Sequence, residues 1–433
     1  MTEYFKDTLA NGLRLVTVEM PHLHSVEMVC HVGVGGRHEQ HDKAGISHFL
    51  EHMLFRGTHD YPTGLALESA FEALGGTANA ATDGETTCYH SRLHPEHVAE
   101  GTAIFASLLR RTLLSDIDIE RRIILEEALE DLNEAGEEIN PDNLTCSLLW
   151  PDHPLSLPTV GTHESVQNLT REDLQQHLDT WYTPGNIVIA IAGRVTREQA
   201  LAAVEAAFGD WQDRPVPTAL PAPTPLDNGP LTVWTRDASS QIQLQLAFNV
   251  PGRNDPRTPA LRLIRRILSG SSARLMVRLR EQLGLTYHAE ANLGLYDDCG
   301  VFSIDLAVAP TSLMQALQEV LLMLDDLRNN PAGEEELQRV VRTFVYEQEF
   351  SLDQADTRAG RFGWGELVGY PLTLAEECRQ VQALTAAQVR DVAAQLLDPK
   401  ALAVAFVGPF NARQRKEVEK LLAGYVDKKS KAI

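Results

Sequence analysis

Cysteine is scarce in this 433-residue chain. The five that occur, Cys30, Cys88, Cys146, Cys299 and Cys378, are odd in number and widely scattered, and no two form a C-x-x-C pair. That argues against a disulfide framework or a thiolate metal knuckle and predicts reduced, mostly buried thiols. Basic residues are short as well: 38 Lys and Arg stand against 60 Asp and Glu, a formal charge of −22, and the only basic run is the C-terminal DKKSKAI. Such a charge repels phosphate backbones and anionic lipid, so neither nucleic acid nor membrane is expected as a partner, and an acidic site would favour neutral or cationic substrates. No apolar run reaches the ~18 residues of a membrane helix. The first residues, MTEYFKDTLANGLRLVTVE, pass into a polar turn and a strand pattern without a basic region followed by an apolar one. These absences predict a soluble cytoplasmic protein with no transit peptide.

What is present is an ordinary globular composition, 43% hydrophobic and 23% charged, in a chain longer than one core usually serves. Two segments are alike. NIVIAIAGRVTREQALAAVEAAFGDW (186–211) and ALAVAFVGPFNARQRKEVEKLLAGY (401–425) each give an apolar strand, a Gly turn and an amphipathic helix, with Gly193 and Gly408 215 positions apart. Between the halves runs QDRPVPTALPAPTPLDNGP (212–230), too rich in Pro to hold a helix. A repeat with a linker at its midpoint predicts two homologous domains, 1–211 and 231–433, joined by 212–230. Each mixes strands with long helices, an α+β class with a mostly antiparallel mixed sheet packed against helices. In the first half, LRLVTVEM and SVEMVCHVGVGG read as strands, ALESAFEALGG as a helix, and TANAATDGETTCYHSRL as two strands around the tight-turn pair Asp83-Gly84. Helices are expected over about 96–113 and 116–138. In the second half QIQLQLAFNV reads as a strand and YHAEANLGLYDDCGVFSIDLAVA as a hairpin.

The stretch HFLEHMLFRG, residues 48–57, carries the chemistry. At 3.6 residues per turn Ile46, Phe49, Leu50, Met53 and Leu54 form one apolar stripe, and His48, Glu51, His52 and Phe55 fall opposite. Two imidazoles at i and i+4 stand one above the other and can grip one metal ion, but the same face can also be a solvated surface. A catalytic zinc site takes three protein ligands, so a further one is needed. The helix DIDIERRIILEEALEDLNEAGEE is the source to look to: Glu120 and Glu127, seven apart, share a face with Ile123 and Ile124, which is apolar enough to turn inward. His38 and His41 read as solvated loop residues, and GVGGRHE lacks the full dinucleotide-binding spacing. The corresponding helix of the second half, TPALRLIRRILSG, has no histidine, so only one half can carry the metal.

These residues resemble the pitrilysin, insulin-degrading enzyme and mitochondrial processing peptidase family, whose H-x-x-E-H order inverts the commoner H-E-x-x-H of zinc peptidases. HFLEHMLFRGT matches its signature, ERRIILEE its second block, GGTANAATDGETTCYH its edge strand and hairpin, and LREQLGLTYHAEA a block of the second domain. The resemblance implies one zinc ion per chain on His48, His52 and Glu127, with Glu120 as supporting carboxylate and Glu51 as proton acceptor. It further implies that Asn79 and Ala80 pair with an extended peptide and that Arg280 and Tyr287 complete the active site from the second domain. Two such domains form a half-shell in this family, and two half-shells close around a chamber, so a homodimer, or a heterodimer with a related subunit, is expected. The function implied is a zinc metalloendopeptidase of short or unfolded peptides. The alternatives are a dedicated maturation peptidase for one ribosomally made precursor and a non-catalytic scaffold subunit.

Overall fold

The computed structural model of the chain describes residues 4–370 and 373–430. They form two compact units, each with its own sheet and core. The first comprises Met1–Ala128, Leu157–Leu220 and Gln348–Thr373, the second Leu129–Ser156, Pro221–Glu347 and Leu374–Ile433. The chain passes from first to second between Leu220 and Pro221, but each unit also takes in a stretch from the other half, so the units are not the continuous segments 1–211 and 231–433.

The first sheet contains β1 (Phe5–Thr8), β2 (Arg14–Glu19), β3 (Val26–Val32), β4 (Ala78–Thr82), β5 (Thr87–Leu93) and β6 (Ile187–Gly193), in the order β1-β2-β6-β3-β5-β4. Only β2 and β6 pair in parallel. VEMVCHV and IVIAIAG are buried at every position, as central strands covered on both faces must be, whereas β1 and β4 alternate and lie at the edges. One cover is the helix Ala355–Leu367, which comes from the second half of the sequence and lies on β2, β3 and β6. It approaches closely because Gly363 has no side chain: a Cβ there would come within 2.6 Å of Ala190 Cβ and 2.8 Å of His31 Cδ2.

The second sheet contains β7 (Leu231–Thr235), β8 (Ile242–Pro251), β9 (Ala289–Leu295), β10 (Cys299–Val308) and β11 (Leu402–Val407), in the order β7-β11-β8-β10-β9. This repeats β2-β6-β3-β5-β4, down to the single parallel pair, β7 with β11. The glycines that mark the repeat share a reason. Gly193 and Gly408 adopt φ of 133° and 139°, and a Cβ would lie 2.3 Å from Ser25 O in one and 2.5 Å from Gln241 O in the other. Each strand leaves its sheet through a backbone conformation and a space that only glycine fits.

Several local expectations change. The helix expected over 116–138 spans Ile117–Glu127, followed by a 3-10 turn at Ala128–Asp131. The chain enters the second unit at Leu129, and beyond the 3-10 turn Asn133 Oδ1 accepts from Ala135 N and Glu137 N at 2.9 Å each while Gly136 takes φ 75°, a tight turn where the helix was expected to continue. There the helix Pro141–Leu149 buries Leu144, Thr145 and Leu149 against β8 and β11. The helix expected over 96–113 is Val98–Arg110. The hairpin turn between β4 and β5 holds four residues: Thr82 pairs with Thr87, and Asp83 Oδ1 accepts from Glu85 N and Thr86 N at 2.7 Å. The linker has no regular secondary structure but is pinned near its middle, for the buried Arg37 donates to Leu220 O at 2.7 Å and to Glu85 Oε1 at 2.7 Å. Cys30 and Cys299 are buried and the other three cysteines partly so. No helix among the described residues is long and apolar enough to cross a membrane.

Candidate metal centre

The helix Ile46–Leu54 buries Ile46, Phe49, Leu50, Met53 and Leu54 in the first unit's core, all at 3% exposure or less. Its start is fixed from outside the helix. Gly45 takes φ 84°, and the buried Glu39 carboxylate accepts from Gly45 N at 2.7 Å and Ser47 N at 2.9 Å, so a side chain supplies the cap that the sequence there lacks. Ser47 Oγ in turn meets His177 Nε2 at 3.1 Å. With the core face and the first turn both held, the rotation of His48, Glu51 and His52 about the axis is set.

Beside this helix runs Ile117–Glu127. Glu120 and Ile124 are buried and Glu127 is half-buried, whereas Ile123, expected to turn inward, is 45% exposed. At about 100° per residue Ile123 and Ile124 lie roughly 100° apart, on either side of the line through Glu120 and Glu127, and only the side of Ile124 turns to the core. Glu127 Oε1 lies 3.6 Å from His48 Nε2 and Oε2 3.6 Å from His52 Nε2. The ligand atoms of His48, His52 and Glu127 all fall within 4.8 Å of one another, and among the described residues this is the metal-competent group. Tetrahedral bonds of about 2.0–2.1 Å place ligand atoms roughly 3.3–3.5 Å apart, close to these separations.

The electrostatics suit a cation. Burial, then the neighbouring His52, pushes His48 down to about 4, so the ring is neutral at pH 7 and one of its nitrogens carries a bare lone pair. Burial also pulls on His52, but the hydrogen bond it donates to Glu120 and the charges of Glu120, Glu51 and Glu127 outweigh it and raise its pKa. His52 Nδ1 lies 2.8 Å from Glu120 Oε1, which keeps the proton on Nδ1 and turns the bare Nε2 towards Glu127. Arg56 Nε stands 3.4 Å from the second oxygen of Glu120. Glu51 lies outside the ligand group; Thr82 Oγ1 donates to its Oε2 at 2.5 Å, and burial raises its pKa against that hydrogen bond and the pull of His52.

Asn79 and Ala80 lie on β4, exposed and half-buried respectively; β4 pairs with β5 on one side and forms the sheet's edge on the other. Arg280 and Tyr287 belong to the second unit, Arg280 on the helical turn Met276–Gln282 and Tyr287 before β9. The guanidinium sits 4.9 Å from the centre of the Tyr287 ring, which is 80% exposed. His38 is not solvated: it is half-buried, its Nδ1 accepts from Gly35 N at 3.2 Å, its ring packs 4.7 Å from Trp181, and burial pushes its pKa down to about 4. Sequence reasoning passed over Glu39 and Thr82. Glu39 carries no local signal, since what it caps lies across a loop. Thr82 has one, its alternation with Ala80 along the same strand.

The family model described as Insulinase (Peptidase family M16) matches residues 14–163, and the Peptidase M16 inactive domain model matches 168–344. An uncharacterized zinc protease of Mycobacterium leprae is 30% identical over 94% of this chain and 92% of its own length, and one of Mycobacterium tuberculosis is 32% identical over 94% of each. This chain belongs to peptidase family M16. The zinc protease YmxG of Bacillus subtilis, also uncharacterized, is 29% identical over 93% of this chain and 97% of its own. Among solved structures, a protease from Helicobacter pylori superposes with a TM-score of 0.84 at 21% identity, covering 94% of this chain and 99% of that one. At that identity the likeness concerns the fold. The family, the names of the relatives and the His-His-Glu donor set are those of a zinc-protease-like member of M16.

Proposed function

We propose that this M16 protein is a zinc metalloendopeptidase that hydrolyses short or unfolded peptides bound as an added strand along β4. The observation that carries this is the convergence of His48, His52 and Glu127 on one point, with Glu51 held beside them and the edge strand β4 alongside the same helix. His48, His52 and Glu127 would hold one zinc ion per chain. When bound, that ion supplies Lewis acidity, polarising a peptide carbonyl and lowering the pKa of water towards ~7.

The chain's own residues do the rest. Glu51 takes the proton of the attacking water on its free Oε1 and passes it to the leaving amine, a task suited by a pKa that burial raises. Glu120 orients His52. Asn79 and Ala80 hold the peptide backbone, which places its carbonyl without regard to side-chain identity and suits extended, unfolded substrates. Arg280 and Tyr287 act as a pair: the guanidinium over the ring steadies an exposed phenol, which donates to the carbonyl oxygen as charge develops there, while Arg280 holds the substrate. A homodimer would let one protomer supply the zinc ligands and its partner Arg280 and Tyr287, inside a chamber closed by both. Five scattered cysteines, odd in number and without a C-x-x-C pair, support a reducing, cytoplasmic location.

The test is mass-spectrometric cleavage of a mixed pool of short peptides by wild type and Glu51→Gln, with zinc measured in both. Cleavage by the wild type alone, at equal zinc content, is the expected result. Zinc-loaded wild type that cleaves nothing would turn the assignment towards a single dedicated precursor or a scaffold. A monomer in sedimentation at micromolar concentration, still fully active, would overturn the shared site.

A further inference from the structure

A glutamate that acts as proton acceptor has to present one oxygen to its donor, and left alone it rotates. Glu51 is not left alone. Its Oε2 accepts from Thr82 Oγ1 at 2.5 Å. The other hydroxyl near Thr82 is that of Thr87, at 3.4 Å, but Thr87 gives its own hydrogen to Val34 O at 2.9 Å. The Thr82 hydrogen is therefore committed to Glu51, and the Thr87 oxygen, fixed by its own donation, faces Thr82 only as an acceptor. Nearby, Tyr89 and Tyr182 are fully buried with their hydroxyls 2.7 Å apart, and burial keeps both phenols protonated, so the carboxylate's surroundings on that side are uncharged.

Thr82 also has a position that other hydroxyls lack. It ends β4, two residues after Ala80, and shares the half-buried side of that strand with Ala78 and Ala80. We propose that Thr82 is a positioning residue for peptide hydrolysis. It anchors Oε2 of Glu51, leaves Oε1 to the water, and ties the proton acceptor to the strand along which the peptide lies. The proposal rests on Glu51 being the proton acceptor of the reaction proposed above. Its consequence is that the base and the scissile bond share one frame: a movement of β4 that carries the peptide carries Glu51 with it.

Thr82→Val keeps the branched shape and removes the hydroxyl; Thr82→Ser keeps the hydroxyl and removes a methyl. Both would be measured as zinc-loaded full-length protein, for kcat and KM on one cleaved peptide, zinc content, thermal midpoint and crystal structure. For Thr82→Val the expected result is a kcat about tenfold lower, a fraction of the ~10²–10⁴ that general-base transfer supplies, with KM within about twofold and zinc content unchanged. Its Glu51 carboxylate is expected to move by about 1 Å or to split between rotamers, enough to spoil an aligned transfer. Thr82→Ser should recover kcat to within about threefold with Glu51 in place. Wild-type kcat in Thr82→Val, equal losses in both variants, or loss of zinc would each overturn the proposal. If the wild type cleaves no peptide, the functional assignment fails by itself, and the position of Glu51 in the three crystal structures still decides whether Thr82 holds it: an unmoved carboxylate in Thr82→Val refutes the tie.

Discussion

Replacing Glu120 by glutamine tests the metal centre without touching a ligand. Glu120 is buried, with Oε1 2.8 Å from His52 Nδ1 and Oε2 3.4 Å from Arg56 Nε. Both neighbours are donors, and a carboxylate can accept from both; an amide of the same shape can accept from only one and turns its NH2 on the other. The hydrogen bond to His52 then falls from a charge-assisted one, worth ~1.5–3 kcal/mol, to a neutral one worth ~1 kcal/mol. The loss of about 1–2 kcal/mol appears at the metal, because Glu120 both keeps the proton on Nδ1 and enriches the Nε2 lone pair. At ~1.4 kcal/mol per factor of ten, zinc affinity should fall roughly five- to thirtyfold. Competition against a chromogenic chelator at pH 7.5 measures this, with the thermal midpoint of the metal-free protein confirming that the fold is intact. Unchanged affinity in a folded Glu120→Gln protein would refute the argument from His52 orientation. A loss beyond about a thousandfold would refute it in the other direction, since an orienting group costs about 10–100-fold and a larger loss belongs to a ligand.

Zinc at about a thousand times its dissociation constant should stabilise the wild type by ~4 kcal/mol in chemical unfolding, and Glu127→Gln should lose most of that gain; an equal shift in both would remove Glu127 from the site. Gly193→Ala and Gly408→Ala should each cost ~2 kcal/mol or more in urea unfolding, because each adds a Cβ at positive φ against a backbone carbonyl; a cost below ~0.5 kcal/mol at either would mean that the strand ends shift freely. Burial raises Glu39 from 4.5 to about 7, against the hydrogen bonds from Ser47 and Gly45. The folded state therefore holds this proton more tightly than the unfolded one, and the contribution to stability is full below about pH 4.5 and lost as pH rises through 7. The unfolding free energy of wild type relative to Glu39→Gln should fall by up to ~3 kcal/mol between pH 4.5 and 8, and a flat difference would show that Glu39 does not titrate there.

How far this molecule could be read from its sequence depends on the range of the interaction. The period of 3.6 put His48, Glu51 and His52 on one face, and the structure keeps them there because Phe49, Leu50 and Met53 are anchored in the core. The repeat was legible because Gly193 and Gly408 answer a strictly local demand, a left-handed backbone at a strand end. Periodicity could bring Glu120 and Glu127 to one side of a helix but could not say which would face His52 Nδ1 and which the Nε2 atoms, since that depends on the offset between two helices. It also placed Ile123 inside, where the structure leaves it exposed. The crossing of Leu129–Ser156 into the second unit and of Gln348–Thr373 into the first was illegible for the same reason: an amphipathic helix declares an apolar face but not the sheet that receives it.

The second unit shows what the absence of histidine from TPALRLIRRILSG means physically. The helix Thr258–Leu268 buries Leu261, Leu263, Ile264, Ile267 and Leu268 against its own core and packs on β9, as the metal-motif helix packs on β4. Its polar positions are taken up by arginines with structural partners: Arg262 pairs with the buried Glu377, Arg265 Nε donates to Ala291 O at 3.2 Å, and Arg266 Nη1 reaches Glu347 Oε1 at 2.8 Å. Guanidinium groups are always charged and only donate, so they cannot ligate a cation, and their fixed pairings tie helix to sheet and neighbouring helices instead. The duplicated frame thus keeps one polar helix face for chemistry and the other for structure. Arg262→His together with Arg266→His would break two ion pairs, one to a buried carboxylate, without supplying the carboxylate ligand that Glu127 offers in the first unit. Such a variant should lose stability in urea unfolding and gain no zinc in metal analysis; a second equivalent of tightly bound zinc would refute the argument.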